Sequence, residues 1–211
     1  MSEHEKKLSE EENKKLEQEK HKKKSQKHKE KVDASIAKAQ EERGLVLLIT
    51  GNGKGKSTAG FGVVTRCVGH GYKAAVVQFI KGTWDCGERT LLEKEGVPFT
   101  VMATGFTWET QDKEKDIAAA IEVWTKAKEY LADPQYHVVL LDELTYMLGY
   151  KYLDKNEILE AIRNRPAEQS VVITGRGAIK ELKELSDTVS EIKDIKHAYT
   201  AGVKARKGID W

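Results

Sequence analysis

The clearest chemistry in this sequence is carried by eight consecutive residues rich in glycine and lysine. These residues are Gly51, Asn52, Gly53, Lys54, Gly55, Lys56, Ser57 and Thr58. Glycines let successive backbone N–H groups turn toward an anion, Lys56 adds a positive charge, and Ser57 offers a hydroxyl to a phosphate-bound Mg²⁺. The octapeptide follows an apolar run at 45–49 and leads into a helical pattern. The positive end of that helix's dipole would face the same anion. We therefore predict that residues 51–58 form a loop that holds a triphosphate.

This loop departs from the common pattern G-x-x-x-x-G-K-[ST] at one position. Counting back from Gly55 places Thr50, rather than a glycine, at the first position. The loop is effectively one residue tighter, so the pattern predicts a phosphate cradle without assigning a particular N–H group to a particular phosphate. The alternative interpretation is a glycine-rich turn that carries a surface lysine.

Three further charged residues follow apolar runs that are typical of buried strands. Asp142 and Glu143 follow the run at 138–141, and Arg176 follows the run at 170–174. Mg²⁺ prefers oxygen ligands, so Ser57 and one of the two acids could hold it, and spacing alone leaves open which acid this is. The acids could instead cap the next helix. Arg176 could clamp phosphate with its planar guanidinium or pair with a surface acid.

Phe106 and Trp108 lie in a stretch with neither a helical nor a core pattern. Because they are two residues apart, an extended chain would project both rings to the same side, where they could form the wall of a flat ligand's site. The alternative is an ordinary role in the core or as a loop anchor.

The size and composition of the chain limit its class. With 211 residues and a formal net charge of +2, the chain fits one α/β domain, and charge alone gives no case for nucleic acid or membrane binding. Cys67 and Cys86 are too few for a disulfide framework or a zinc site, and Cys67 is expected to be a buried thiol. No stretch approaches the roughly twenty apolar residues of a membrane span, and no signal-peptide pattern is present. We expect a cytoplasmic protein.

The N-terminal part differs in composition from the rest. Residues 1–31 are dominated by Lys, Glu, Gln and His, so they predict a disordered tail or a solvated, charged helix. The lysines at 20–24 could bind nucleic acid, but a solubilising tail is the preferred interpretation. In residues 32–43, the apolar residues Val32, Ile36 and Ala39 recur at helical spacing with polar residues between them, which predicts a short amphipathic helix. The domain that carries the chemistry is expected to span residues 32–211.

Strand and helix patterns alternate along this domain. Apolar runs predict strands at 45–50, 74–80, 99–102, 138–143 and 170–174, and helical patterns cover 56–69, 87–96, 112–132 and 154–164. Such alternation predicts an α/β fold with a mainly parallel sheet, helices on both faces, and a ligand site at the carboxyl ends of the strands.

Five stretches together resemble the P-loop type of ATP:corrinoid adenosyltransferase. They are GNGKGKST at 51–58, VQFIKG at 77–82, MATGFTWE at 102–109, LDELTY at 141–146 and ITGRG at 173–177. The resemblance runs from about Val32 to Trp211, and the tight loop and the aromatic stretch are peculiarities shared with that family. The first thirty or so residues lie outside it.

The resemblance implies a RecA-like fold and the transfer of the 5′-deoxyadenosyl group from ATP to Co(I) of a corrinoid. The substrate would be cobalamin, cobinamide or cobyrinic acid diamide, in coenzyme B12 biosynthesis or salvage, and triphosphate would leave intact. By the same resemblance residues 51–58 would hold the polyphosphate in a reversed sense, and Ser57 and Glu143 would bind Mg²⁺. Phe106 and Trp108 would pack under the corrin ring. Ser57 replaces the threonine common at its position and keeps the hydroxyl.

The resemblance also implies a reduction step and partners. Phe106 and Trp108 would displace the lower ligand of Co(II), leaving a four-coordinate ion that a reduced flavoprotein such as flavodoxin can reduce. Co(I) is itself the nucleophile, so catalysis would rest on Lys56, the two aromatic rings and the positioning of ATP, with no general base. A homodimer is expected, and the helix at 32–43 is expected to cover the bound corrinoid.

Two other functions compete with this one. A RecA-like ATPase would use Glu143 as a general base and release phosphate without any corrinoid. A nucleotide-sensing protein would dock its lysine-rich tail on RNA or on an acidic protein, and its binding would be sensitive to salt.

Overall fold

The computed structural model describes residues 3–80, 86–102 and 112–210. The chain divides into two units, Met1–Glu42 and Arg43–Trp211. In the first unit, helix α1 spans Glu3–Ile36, and its side chains from residue 14 onward are exposed. Helix α1 is the charged helix that the composition allowed as an alternative to disorder. The helix predicted over 32–43 is found only as far as Ile36, because the chain turns there, with Ala39 N donating to Ile36 O at 3.0 Å.

The second unit is built on a parallel sheet. Its strands are β1 Val46–Thr50, β2 Ala74–Gln78, β3 Phe99–Val101, β4 Val138–Asp142, β5 Ser170–Thr174 and β6 Thr188–Glu191. Six strands lie in the order β3-β2-β4-β5-β1-β6, and every pair of neighbours is parallel. The predicted parallel sheet is therefore confirmed. Strand β1, which leads into the phosphate loop, lies inside the sheet, between β5 and β6.

Six α-helices accompany these strands in the described part of the second unit. They are α2 Lys56–Gly69, α3 Gly87–Lys94, α4 Lys113–Ala132, α5 Leu144–Gly149, α6 Lys155–Arg163 and α7 Lys180–Leu185. A short 3₁₀ helix, Tyr199–Ala201, follows β6. No helix in the described ranges combines the length and the apolarity that a membrane span requires.

Alternate side chains of the strands enter two separate cores, because successive residues of a strand point to opposite faces. On one face Val77, Leu141 and Ile173 pack in a cluster with residues of α4 to α7, including Trp124. On the other face the cluster combines strand residues with residues of α2 and α3, including Phe61 and Leu92. Helices therefore cover both faces of the sheet, as the sequence predicts.

Helix α2 packs unusually close to the sheet at Gly60. A Cβ atom there would lie 2.9 Å from Leu140 Cδ1 and 3.1 Å from Thr174 Cγ2. The small residue lets the helix approach the centre of the sheet, so the loop that precedes the helix is held above the carboxyl ends of β4 and β5.

Candidate active site

The phosphate loop connects β1 to α2 and contacts the segment that follows β6. Gly51 has φ 101°, and a Cβ atom on it would lie 2.4 Å from Ile192 O. The N–H group of Gly53 donates to the same carbonyl at 2.8 Å. A Cβ atom on Gly53 would lie 2.6 Å from Lys193 O, so the close approach of backbone to backbone requires glycine at both positions. The Gly53 N–H is used inside the protein, so an anion would meet the N–H groups of the later loop residues.

The start of α2 supplies these later groups. Gly55, with φ 111°, is the N-cap residue and no side chain caps the helix there. Ser57 is half-buried in the first turn, whereas Thr58 is exposed. An uncapped helix start surrounded by glycines leaves backbone donors and the positive end of the dipole for an anion.

Lys56 carries the buried positive charge of the loop. Its side chain is 6% exposed, and Nζ donates to Gly53 O at 2.7 Å. Burial lowers the pKa of Lys56, while the negative charge of Glu143 opposes this shift and the positive charge of Arg176 adds to it. Asp142 acts in the same direction as Glu143. A Cβ atom on Gly175, the residue before Arg176, would lie 3.2 Å from Glu143 Oε2, so the Glu143 carboxylate lies beside the turn that carries Arg176.

Asp142 lies at the end of β4 and is fully buried. Gln78 Nε2 donates to its Oδ2 at 3.0 Å, and Thr174 Oγ1 donates to its Oδ1 at 2.7 Å. Gln78 and Thr174 end β2 and β5, the two strands that flank β4. The carboxylate thus ties the ends of three strands together, and both of its oxygens accept hydrogen bonds from the protein.

Glu143 follows directly but has a different environment. It adopts a left-handed conformation, with φ 62°, and its N–H donates to Thr174 Oγ1 at 2.9 Å. It is the N-cap residue of α5, yet its side chain does not cap that helix. Its charge instead acts on Lys56 and raises the pKa of the neighbouring Tyr146, which burial also raises.

The turn after β5 presents Arg176. Thr145 Oγ1 donates to Arg176 O at 2.7 Å, while the Arg176 side chain is exposed. Gly175 has φ 134°, and a Cβ atom on it would lie 2.0 Å from Thr145 Oγ1. Thr145 and Gly175 therefore fix the backbone from which the exposed Arg176 side chain extends.

The structure brings together the loop, Glu143 and Arg176, and it keeps Asp142 inside the sheet. Sequence reasoning missed Gln78, Thr174 and Thr145. A polar residue at the end of an otherwise apolar strand was the available signal for the first two. Phe106 and Trp108 lie outside the described residues. Cys67 is buried as expected, and burial raises the pKa of its thiol.

No group of three or more His, Cys, Asp or Glu side chains that could hold a metal ion occurs in the part of the chain that the structure describes. A site that combines one carboxylate with a serine hydroxyl needs no such group, because it would complete its ligand set with phosphate oxygens and water, as Mg²⁺ sites at nucleotides do. Ser57 and Glu143 are of the types that such a site needs.

Comparisons with known proteins identify the family of the chain. The family model described as "ATP:corrinoid adenosyltransferase BtuR/CobO/CobP" matches residues 42–211. A corrinoid adenosyltransferase of Escherichia coli is 60% identical over 181 residues, which cover 86% of this chain and 92% of that protein. The corrinoid adenosyltransferase CobA of Salmonella typhimurium is 58% identical with the same coverage. A corrinoid adenosyltransferase of Pseudomonas aeruginosa is 50% identical over 182 residues, or 85% of this chain and 90% of that protein. On this evidence of sequence, the chain belongs to the ATP:corrinoid adenosyltransferase family.

Proposed function

We propose that ATP binds with its triphosphate in loop 51–58 and that Co(I) of a corrinoid attacks C5′ of the ribose. An electron pair of the metal forms the cobalt–carbon bond, the C5′–oxygen bond breaks, and its electron pair leaves with intact triphosphate. Membership of the adenosyltransferase family supports this reaction. The observation that carries the residue assignments is the uncapped start of α2 at the buried Lys56, on whose pKa the charges of Glu143 and Arg176 act.

The protein's task in this reaction is to place C5′ and to accept the charge of the leaving group. Lys56 would exchange Gly53 O for phosphate oxygens, and Arg176 would add a second positive group from the turn after β5. Positively charged donors that the protein has already positioned, such as Lys56 and Arg176, stabilise a departing anion without having to reorganise during the reaction. The nucleophile needs no deprotonation, so Glu143 has no task as a general base, which separates this enzyme from an ATPase.

Magnesium would be held by Ser57 and Glu143 together with phosphate oxygens. When bound, it would neutralise part of the triphosphate charge. Asp142 does not fit as a direct ligand, because it is fully buried and its two oxygens accept from Gln78 and Thr174. Asp142 would instead have a supporting role: it accepts a hydrogen bond from Thr174 Oγ1, which in turn accepts one from the N–H group of Glu143.

Reduction of Co(II) is proposed to depend on Phe106 and Trp108, which would pack under the corrin ring and displace its lower ligand. A reduced flavoprotein would supply the electron, and we expect the enzyme to work in the cytoplasm as a homodimer. Alanine at either position should lower activity on Co(II) far more than activity on chemically prereduced Co(I). Equal losses with both substrates would contradict a role in reduction.

The central test combines the protein with ATP, Mg²⁺ and chemically reduced cobalamin. We expect the light-sensitive absorption spectrum of adenosylcobalamin and one triphosphate for each adenosyl group transferred. Lys56→Met keeps the aliphatic stem and removes the charge, so it should lower kcat/KM at least about a hundredfold. Lys180→Met is the matched control: Lys180 is an exposed lysine of α7, and its Nζ lies 3.4 Å from Glu184 Oε1. Phosphate release without cobalamin, and no cobalt–carbon bond with it, would contradict the proposal.

A further inference from the structure

A second lysine of the phosphate loop is held by an acid from the C-terminal segment 192–210. Lys54 Nζ lies 2.7 Å from Asp210 Oδ1, and the two side chains are 45% and 25% exposed. Lys54 stands between Gly53, whose N–H is bound to Ile192 O, and Gly55, the N-cap of α2. Its side chain therefore begins on the loop that holds the phosphate cradle.

Asp210 is fixed for this contact by a local turn. The N–H groups of Ile209 and Asp210 donate to Arg206 O at 3.1 and 2.8 Å. Arg206 N in turn donates to Asp210 Oδ2 at 2.8 Å. One carboxylate oxygen is thus bound within the turn, and the other faces Lys54. Lys54 is the main cause of the lowered pKa of Asp210, followed by Arg206 N.

We propose that Asp210 is a positioning residue that competes with bound triphosphate for Lys54. This inference rests on the proposed function, in which loop 51–58 holds the triphosphate. Carboxylate and phosphate oxygens are equivalent acceptors for an ammonium group, and the flexible stem of lysine lets Nζ move from one to the other. Asp210 therefore weakens the binding of triphosphate and favours its release as product.

The expected effect is modest because the ion pair is partly exposed. Pairs of this kind contribute little, so releasing Lys54 should strengthen triphosphate binding about two- to fivefold. Added salt should reduce the difference, since it screens exposed charges.

The experiment titrates inorganic tripolyphosphate with Mg²⁺ into the full chain by calorimetry. Asp210→Asn keeps the shape and the acceptor for Arg206 N while removing the charge. Asp194→Asn, an exposed acid of the same segment, makes the same change in net charge and serves as the control. Both substitutions are repeated in a Lys54→Met background.

We expect Asp210→Asn to bind tripolyphosphate about two- to fivefold more tightly than Asp194→Asn does, and we expect that gain to vanish in the Lys54→Met background. Equal binding, weaker binding, or a gain that persists without Lys54 would overturn the inference. Weaker binding would show instead that Asp210 braces the loop in its binding form.

Failure of this inference can be distinguished from failure of the proposed function. If the unchanged protein binds tripolyphosphate and makes adenosylcobalamin while Asp210→Asn has no effect, only the competition is refuted. If the unchanged protein does not bind tripolyphosphate, the phosphate cradle itself is refuted, and the competition falls with it.

Discussion

Single residues at the end of β4 decide how charge is distributed in the site. Asp142 and Glu143 are adjacent in sequence and both act on the charge of Lys56, but Asp142 accepts hydrogen bonds from both neighbouring strands and acts on Lys56 less than Glu143 does. Alternation along a strand could not separate these roles, because Glu143 leaves the strand in a left-handed conformation. The environment of each carboxylate therefore assigns its task.

The two acids should respond differently to loss of charge. Glu143→Gln should lower kcat/KM at least about tenfold through weaker Mg²⁺ binding, with little change in stability. Asp142→Asn should lower the free energy of unfolding by about 1–3 kcal/mol, because its amide N–H₂ would face the Gln78 or the Thr174 donor. Urea denaturation and the Mg²⁺ dependence of activity measure the two effects. A Mg²⁺ defect confined to Asp142→Asn would reverse the assignment.

Gly175 and Gly177 form a matched pair around Arg176. A Cβ atom on Gly175 would lie 2.0 Å from Thr145 Oγ1, whereas a Cβ atom on Gly177 would meet nothing within 4 Å. Gly175→Ala should displace the turn, raising the KM for ATP and lowering Tm. Gly177→Ala should lower the free energy of unfolding by about 1–2 kcal/mol, which is the cost of a positive φ at a residue with a side chain. Similar KM values for the two variants would show that Thr145 and Gly175 do not position Arg176.

Among the elements, the longer helices and five of the six strands were predictable, including the three-residue β3, whereas β6 and the two six-residue helices were not. Strands β1, β2, β4 and β5 are continuous apolar runs, and the sequence predicts them to within a few residues. Strand β6 was missed because all four of its residues are exposed, so it has no apolar alternation. Helices α5 and α7 have six residues each, too few to display a helical period. Strand order depends on long-range pairing, which local patterns do not contain.

Asp187 links the unpredicted strand β6 to the start of β1. Its Oδ2 accepts from Val46 N at 2.8 Å, and its Oδ1 accepts from Arg43 Nη2 at 2.6 Å. The Arg43 hydrogen bond, followed by that of Val46 N, lowers the pKa of Asp187 from 3.8 to about 2. A depressed carboxyl pKa stabilises the fold above the unfolded value, and this contribution is lost as pH falls through the folded value.

Asp187→Asn should therefore lower the free energy of unfolding at pH 7 by about 1–2 kcal/mol. The difference from the unchanged protein should shrink as pH falls from about 4 toward 2, as urea denaturation at several pH values would show. Asp194→Asn, in the exposed segment after β6, serves as the control. A difference that stays constant down to pH 2 would mean that the ionised carboxylate is not the stabilising group.

The chain consists of a charged helical unit and a unit that carries the residues proposed for catalysis. Every residue of the two apolar cores belongs to Arg43–Trp211, and the family match begins at residue 42. The division differs from the boundary expected at residue 32, which rested on a few apolar residues at helical spacing. From residue 14 onward, where its side chains are described, helix α1 is exposed and contributes no residue to either core.

Deleting residues 1–42 should leave the midpoint of urea unfolding unchanged, because stability scales with the apolar surface that the cores bury. Circular dichroism should lose the signal of one long helix. The KM for the corrinoid, measured on the same variant, tests the expectation that the N-terminal segment covers the substrate: a raised KM with an unchanged KM for ATP would support it. If neither KM changes, adenosyl transfer requires only Arg43–Trp211, and the charged helix serves another purpose, such as solubility.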